Sequence, residues 1–186
     1  MSKSVSELIL FTINFLKNPL RNASVVPSSV FASREMINNI DFSSINTIIE
    51  LGPGTGIFTK EIIRKCNPKT KIILIELEDT YISLLRSKFG ERVIVENTSA
   101  HLLDEVLIKH KIEKADLIVS GLPFSLPHKV LEKLCKSIKK QTDNGAIYRF
   151  FTYMPPIMKL AYTNLPIREV SFVPRNFPPL WVYGIN

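Results

Sequence analysis

Only two cysteines occur in 186 residues, Cys66 and Cys135. Neither has partners at metal-ligand spacing, so no metal site and no disulfide framework is expected. No apolar run reaches the roughly 20 residues that a membrane-spanning helix needs. The apolar stretch near the N-terminus has no strongly basic region before it, so the pattern of a cleavable secretion signal is missing. Repeats and low-complexity tracts are missing too. These absences lead us to expect a cytoplasmic chain whose thiols are reduced and buried. Acidic residues are outnumbered: seventeen Asp and Glu face twenty-four Lys and Arg, a formal net charge of +7. A basic surface favours polyanions, either nucleic acid or an anionic membrane leaflet, and charge alone does not choose between them. The length suits one α/β domain with a real core and is short for two.

What is present is more specific. Ile48-Ile49-Glu50-Leu51 is an apolar run ending near an acid, and Gly52-Pro53-Gly54-Thr55-Gly56 follows it. A helix-forming segment comes next, then a second apolar run, Ile72-Ile73-Leu74-Ile75, ending in Glu76. This is a strand, a tight turn, a helix and a second strand, built to hold a nucleoside-containing cofactor. The spacing Gly-x-Gly-x-Gly departs from the Gly-x-Gly-x-x-Gly of dinucleotide binders, whose helix N-terminus must meet a pyrophosphate. Glu50 would place a carboxylate near the ligand, which suits a cation. S-adenosylmethionine carries a sulfonium and an ammonium and no phosphate, and Glu76 is placed to hold its ribose hydroxyls. The bland alternative is a turn in which glycine only relieves positive φ.

Strand signals recur near 46–51, 71–76, 92–96, 115–120 and 144–152, with helical signals near 57–66, 80–88, 101–111 and 127–140. Such alternation predicts a parallel sheet covered on both faces. After Pro155-Pro156 a short helix is expected at 157–163, then strands at 168–174 and 180–184. Their tight connection, Pro174-Arg175-Asn176-Phe177-Pro178-Pro179, suits an antiparallel hairpin. Upstream, Ser28 is expected to cap a helix running through Ile37. Residues 4–18 read as an amphipathic helix. Winding them at roughly 100° per residue gathers Val5, Leu8, Ile9, Phe11, Ile13, Phe15 and Leu16 on one face. Pro19 ends it. We therefore read 1–26 as this helix and its connection, and 27–186 as the cofactor-binding core of a single domain.

The alternating pattern closed by a hairpin resembles the Rossmann-like class I methyltransferases over nearly the whole chain. Within that fold, ribosomal RNA adenine dimethyltransferases carry Asn-Leu-Pro-Tyr after the fourth strand, where this chain has Gly121-Leu122-Pro123-Phe124. Their Asn binds the exocyclic amine and their aromatic ring stacks on the flipped base. Here the ring is kept as Phe124 and the Asn is lost. The chain more closely resembles the bacterial phospholipid N-methyltransferases. That likeness rests on Pro27-Ser28-Ser29, the Glu50–Gly56 motif, Ser120-Gly121-Leu122-Pro123 and Arg175-Asn176-Phe177-Pro178-Pro179. Leu180 departs from the Ala usual in that family.

The resemblance implies stepwise methylation of phosphatidylethanolamine toward phosphatidylcholine by an enzyme bound peripherally to the inner face of the cell membrane. Residues 4–18 would contact the anionic surface, at about 1 kcal/mol per basic residue. The alternative for that helix is docking on the domain's own core or on a partner chain. The implied cofactor contacts are Ser29, Glu50, Gly52, Gly54, Gly56, Glu76, Leu77, Ser99, Ala100, Ser120, Gly121 and Leu122, with Ser99 where the fold usually has an Asp against the adenine. Pro123, Phe124 and Asn176 would meet the substrate.

A primary ammonium has a pKa of about 10 and must lose a proton before attack. His128 and Tyr153 are candidates to accept it, with water as the alternative. The quaternary product suits aromatic faces, which Phe124, Phe151, Tyr153, Trp181 and Tyr183 could supply. Two other readings compete. One is an RNA adenine N6-methyltransferase, favoured by charge and by Phe124, and opposed by Gly121 and by a chain that stops with the sheet. The other is a domain that binds cofactor or membrane without turnover.

Overall fold

The computed structural model describes residues 28–123, 126–176 and 178–186. The amphipathic helix expected at 4–18, its membrane contact and the ring of Phe124 lie outside the described residues. Among the described residues no helix is long and apolar enough to cross a membrane.

Seven strands form the centre: β1 (Thr47–Leu51), β2 (Lys71–Glu76), β3 (Ile94–Asn97), β4 (Leu117–Ser120), β5 (Ile147–Thr152), β6 (Arg168–Val173) and β7 (Leu180–Ile185). Successive strand side chains point to opposite faces. A run such as Ile72-Ile73-Leu74-Ile75 is therefore stable only if both faces are covered, and all four side chains are buried. Among the described residues six helices supply the cover: α1 (Ser28–Met36), α2 (Ile57–Lys65), α3 (Asp79–Phe89), α4 (Leu103–Lys109), α5 (His128–Asp143) and α6 (Pro155–Ala161). Ile48, Leu74, Leu117 and Val119 pack with Met36 of α1, Ile62 of α2 and Leu85 of α3. On the other face Ile49, Ile73 and Ile118 pack with Leu103 of α4, Leu134 of α5 and Met158 of α6.

The strand order is β3-β2-β1-β4-β5-β7-β6. Neighbours are parallel except β5–β7 and β6–β7, so the sheet ends in the expected antiparallel hairpin. β1 lies between β2 and β4, and the order reverses there, which opens a crevice at the carboxyl ends of these strands.

Boundaries differ from the sequence expectation for local reasons. Ser28 is the first residue of α1, not a cap outside it. A 3-10 turn at Gly90–Arg92 delays β3 to Ile94. α5 runs on to Asp143, and Gly145 (φ 90) reverses the chain so that Ala146 N–H reaches back to Gln141 O. That leaves β5 to begin at Ile147. α2 stops at Lys65, so Cys66 is extended and buried. Cys135 is only half-buried on α5, and one of the two expected buried thiols thus borders solvent.

Arg149 is the largest polar intrusion into the sheet. It is 7% exposed, and its Nη1 donates to the carbonyls of Asn186 (2.7 Å) and Tyr148 (3.1 Å). Gly184 faces it across the β5–β7 pair. A Cβ there would lie 2.5 Å from the Tyr148 carbonyl and against the guanidinium. Gly184→Ala should therefore destabilise the fold by about 1–3 kcal/mol, the usual range for overpacking. Chemical denaturation reads this directly, and an unchanged midpoint would show that Arg149 does not fill that space.

Candidate active site

Three strand ends are tied together by two backbone bonds. Gly52 N–H donates to Ile75 O (2.9 Å), and Gly121 N–H donates to Leu51 O (2.8 Å). The glycines between them play different parts. Gly52 (φ 65) has Leu122 where a side chain would stand, 2.7 Å from the Cβ position. Gly56 (φ 76) lies against the ring of Phe89, at 2.5 Å from its Cβ position. Gly54 (φ 54) has nothing within 4 Å of its Cβ position and borders the open crevice. Gly121 is a steric requirement of another kind, since its Cβ would sit 2.7 Å from the Gly52 carbonyl oxygen.

Both expected acids are at the crevice. Glu76 accepts three backbone N–H bonds, from Gly54 (3.0 Å), Leu77 (2.8 Å) and Glu78 (3.1 Å). It thereby fixes the glycine loop against the end of β2, beside an exposed Leu77. A carboxylate has about four acceptor positions, so capacity for a hydroxyl donor is left. Glu50 is fully buried and takes one bond, from the Thr59 hydroxyl (2.7 Å); its Oε1 has no partner. Burial pushes the Glu50 carboxyl up to about 7. The Thr59 bond opposes this, and the charge of Glu76 adds to it. An orphaned, buried carboxylate oxygen beside an open glycine turn fits a cationic ligand with hydroxyls, as S-adenosylmethionine is.

Other positions are placed less simply. The Ser99 hydroxyl meets His101 Nδ1 at 2.8 Å, so any adenine contact by Ser99 shares that bond. Ala100 is part of the core below. Ser120 is buried, its hydroxyl accepting from Leu122 N–H at 3.4 Å, and Pro123 is half-buried in the loop that follows. Ser29 falls within α1, its side chain outside the described residues. Asn176 is 4% exposed; its Nδ2 donates to Pro178 O at 2.6 Å, and its side chain also bonds the Tyr153 phenol. Burial raises the Tyr153 phenol above its ordinary 10. A hydrogen bond with Asn176 opposes this shift, and the phenol keeps its proton at neutral pH. His128 is exposed at the start of α5 and lines a groove with Cys135 and Leu160, on the sheet face opposite α1 and α2. Of the expected aromatics, Phe151 and Tyr153 lie on the α1–α2 face, whereas Trp181 and Tyr183 pack on the other.

Sequence reading missed Thr59, Phe58 and Lys88. Thr59 follows the glycine loop by three residues, and only its helical placement shows that it caps Glu50. Phe58 lies beside Gly121, its Cε2 3.7 Å from the Cβ position there. Lys88 donates to Thr55 O at 2.9 Å and so holds the glycine loop from α3.

No protein-family model matches the chain. An ornithine lipid N-methyltransferase of Singulisphaera acidiphila is 32% identical over 184 residues, covering 96% of this chain and 95% of that protein. The chain belongs to the bacterial lipid N-methyltransferase family. Its members' fold is shared with fibrillarin of Aeropyrum pernix, solved with natively bound S-adenosyl-L-methionine. That structure has a TM-score of 0.62 at 12% identity, covering 85% of this chain and 76% of that one. The ribosomal RNA small subunit methyltransferase A of Borreliella burgdorferi is 26% identical over 132 residues, 66% of this chain and 45% of that protein. This family member is thus an S-adenosylmethionine-dependent methyltransferase. The bound group supplies an electrophilic methyl carried on a sulfonium. Glu50, Gly54 and Glu76 are the residues that would hold it.

The raised Glu50 carboxyl carries a stability cost with a definite sign. The unfolded chain loses this proton near 4.5 and the folded chain near 7. Stability without ligand should fall as pH rises through that window, by an amount on the order of 3 kcal/mol for this group alone. Glu50→Gln should flatten the decline and weaken S-adenosylmethionine binding at pH 8. Urea titrations from pH 5 to 8 check the first effect and calorimetry the second. A variant with the wild-type pH dependence would mean that Glu50 is not the titrating group.

Proposed function

We propose that this enzyme transfers methyl groups to the terminal amine of an aminolipid at a membrane surface. Phosphatidylethanolamine and ornithine lipid both present such an amine, and the ornithine lipid relative favours testing the second beside the first. The observation that carries this reading is Gly121 packed on the Gly52 carbonyl. An adenine amine is a poor nucleophile because its lone pair is shared with the ring, and it needs a side chain to orient it. At this position the backbone leaves no room for one. An alkyl amine is nucleophilic once deprotonated and asks chiefly for positioning.

The residues divide the work accordingly. Glu50 and Glu76 hold positive charge and hydroxyls at the strand ends. The Gly121–Pro123 loop lies over the place where donor and acceptor meet. The nitrogen lone pair forms the new N–C bond as the S–C bond breaks, and the nitrogen gives up one proton per methyl added. With Tyr153 protonated and His128 on the opposite face, water takes that proton.

The lysines of α5 give no support to the RNA reading. α5 carries five lysines, and Lys133, Lys136, Lys139 and Lys140 are each paired with an acid. That helix offers no unpaired stripe for a phosphate backbone, which is the first requirement for nucleic-acid affinity. A peripheral position at the membrane fits a lipid substrate, with residues 4–18 as the proposed contact.

The test offers labelled S-adenosylmethionine to vesicles containing ornithine lipid, to vesicles containing phosphatidylethanolamine, and to ribosomal RNA. Label is expected in lipid, and the vesicle that takes it identifies the headgroup. Label confined to RNA would overturn the proposal. Gly121→Asn should gain no RNA activity and should weaken S-adenosylmethionine binding, because the new Cβ pushes against Gly52. An Asn variant that labels RNA would show that the loop yields.

A further inference from the structure

The two faces of the sheet treat their aromatic side chains differently. On the α4–α6 face, Tyr148 and Phe150 of β5 are fully buried, 0% and 1% exposed. On the α1–α2 face, Phe151 and Tyr153 follow the same strand and both keep solvent access, as does Phe58 at the start of α2. These three rings form a line. The centroids of Phe58 and Phe151 are 5.5 Å apart with planes at 56°, and those of Phe151 and Tyr153 are 5.6 Å apart at 79°. Steeply tilted rings present faces in more than one direction, as a stack does not. The line begins beside Gly121, where a Cβ would lie 3.7 Å from Phe58 Cε2, and Phe58 precedes the Thr59 that holds the buried Glu50 carboxylate.

We propose that Phe58, Phe151 and Tyr153 form the acceptor subsite and that it binds the headgroup nitrogen more tightly as methyl groups accumulate on it. This rests on the aminolipid reading above. An aromatic face attracts a cation through its quadrupole, and the attraction is strongest when the cation gives up little hydration. A primary ammonium is strongly hydrated, and each methyl replaces an N–H donor with apolar surface. Partly methylated intermediates are therefore retained in preference to fresh substrate, and the reaction runs toward the quaternary product. The nearby Glu50 and Glu76 keep the local potential negative, which excludes anions from the same surface.

The probe is choline, compared with its uncharged isostere 3,3-dimethylbutan-1-ol, titrated into the full chain and followed by NMR line shifts. Wild-type protein should bind choline several-fold more tightly than the isostere. Phe58→Leu and Phe151→Leu should weaken choline binding by about 3- to 30-fold, the span of cation–π contributions, with the isostere little affected. Phe58→Tyr keeps a π face and should retain choline, and thermal melts establish that each variant is folded. In the vesicle assay, Phe58→Leu should accumulate monomethylated lipid. Equal binding of choline and isostere, or wild-type choline affinity in a folded Phe58→Leu variant, would overturn the subsite. Labelled aminolipid with no choline preference leaves the proposed function standing and removes the subsite. Choline preference with no labelled lipid does the reverse.

Discussion

The contact on which the site depends is the approach of Gly121 to the carbonyl of Gly52. Two backbone bonds, Gly52 to Ile75 and Gly121 to Leu51, draw the ends of β1, β2 and β4 to one point. They can do so only because no side chain intervenes at either glycine. The same closeness shapes the chemistry. It places the β4 loop over the glycine turn, and it leaves no room for a side chain at Gly121, the constraint on which the proposed choice of an alkyl over an aromatic amine rests.

Electrostatics give the crevice its sign. Glu76 is satisfied by three N–H groups and works as a clasp on the glycine loop as well as a potential ribose contact. Glu50 has a single partner and an orphaned oxygen in a fully buried position. An uncompensated buried carboxylate is expensive, and the fold tolerates it where a cationic ligand would offset the expense. The arrangement stores a preference for positive charge, which S-adenosylmethionine carries.

The hairpin end of the sheet sets the far side of the site. β7 inserts antiparallel between β5 and β6, and Arg149 anchors it through carbonyls at the chain's end. This keeps β5 in register, so that Tyr148 and Phe150 enter the core while Phe151 and Tyr153 stay at the crevice. Asn176 closes the turn between β6 and β7 from within.

Much of this was legible in the residues themselves. Apolar runs of Ile and Leu between helical segments dictate a doubly covered parallel sheet, because such strands are stable only when both faces are buried. The Glu50–Gly56 turn and Glu76 could be placed at the strand ends because glycine spacing and terminal acids are local features. Tertiary structure decided the rest, since it concerns residues distant along the chain. That Thr59 caps Glu50, that Phe58 stands beside Gly121, that His101 engages Ser99 and that Asn176 bonds both its own turn and Tyr153 all depend on where helices and loops dock. The setting of the two candidate proton acceptors was decided in the same way: burial decides whether the Tyr153 phenol keeps its proton, and the sheet decides which face His128 occupies. Sequence determines which groups are available, and only packing determines which of them meet.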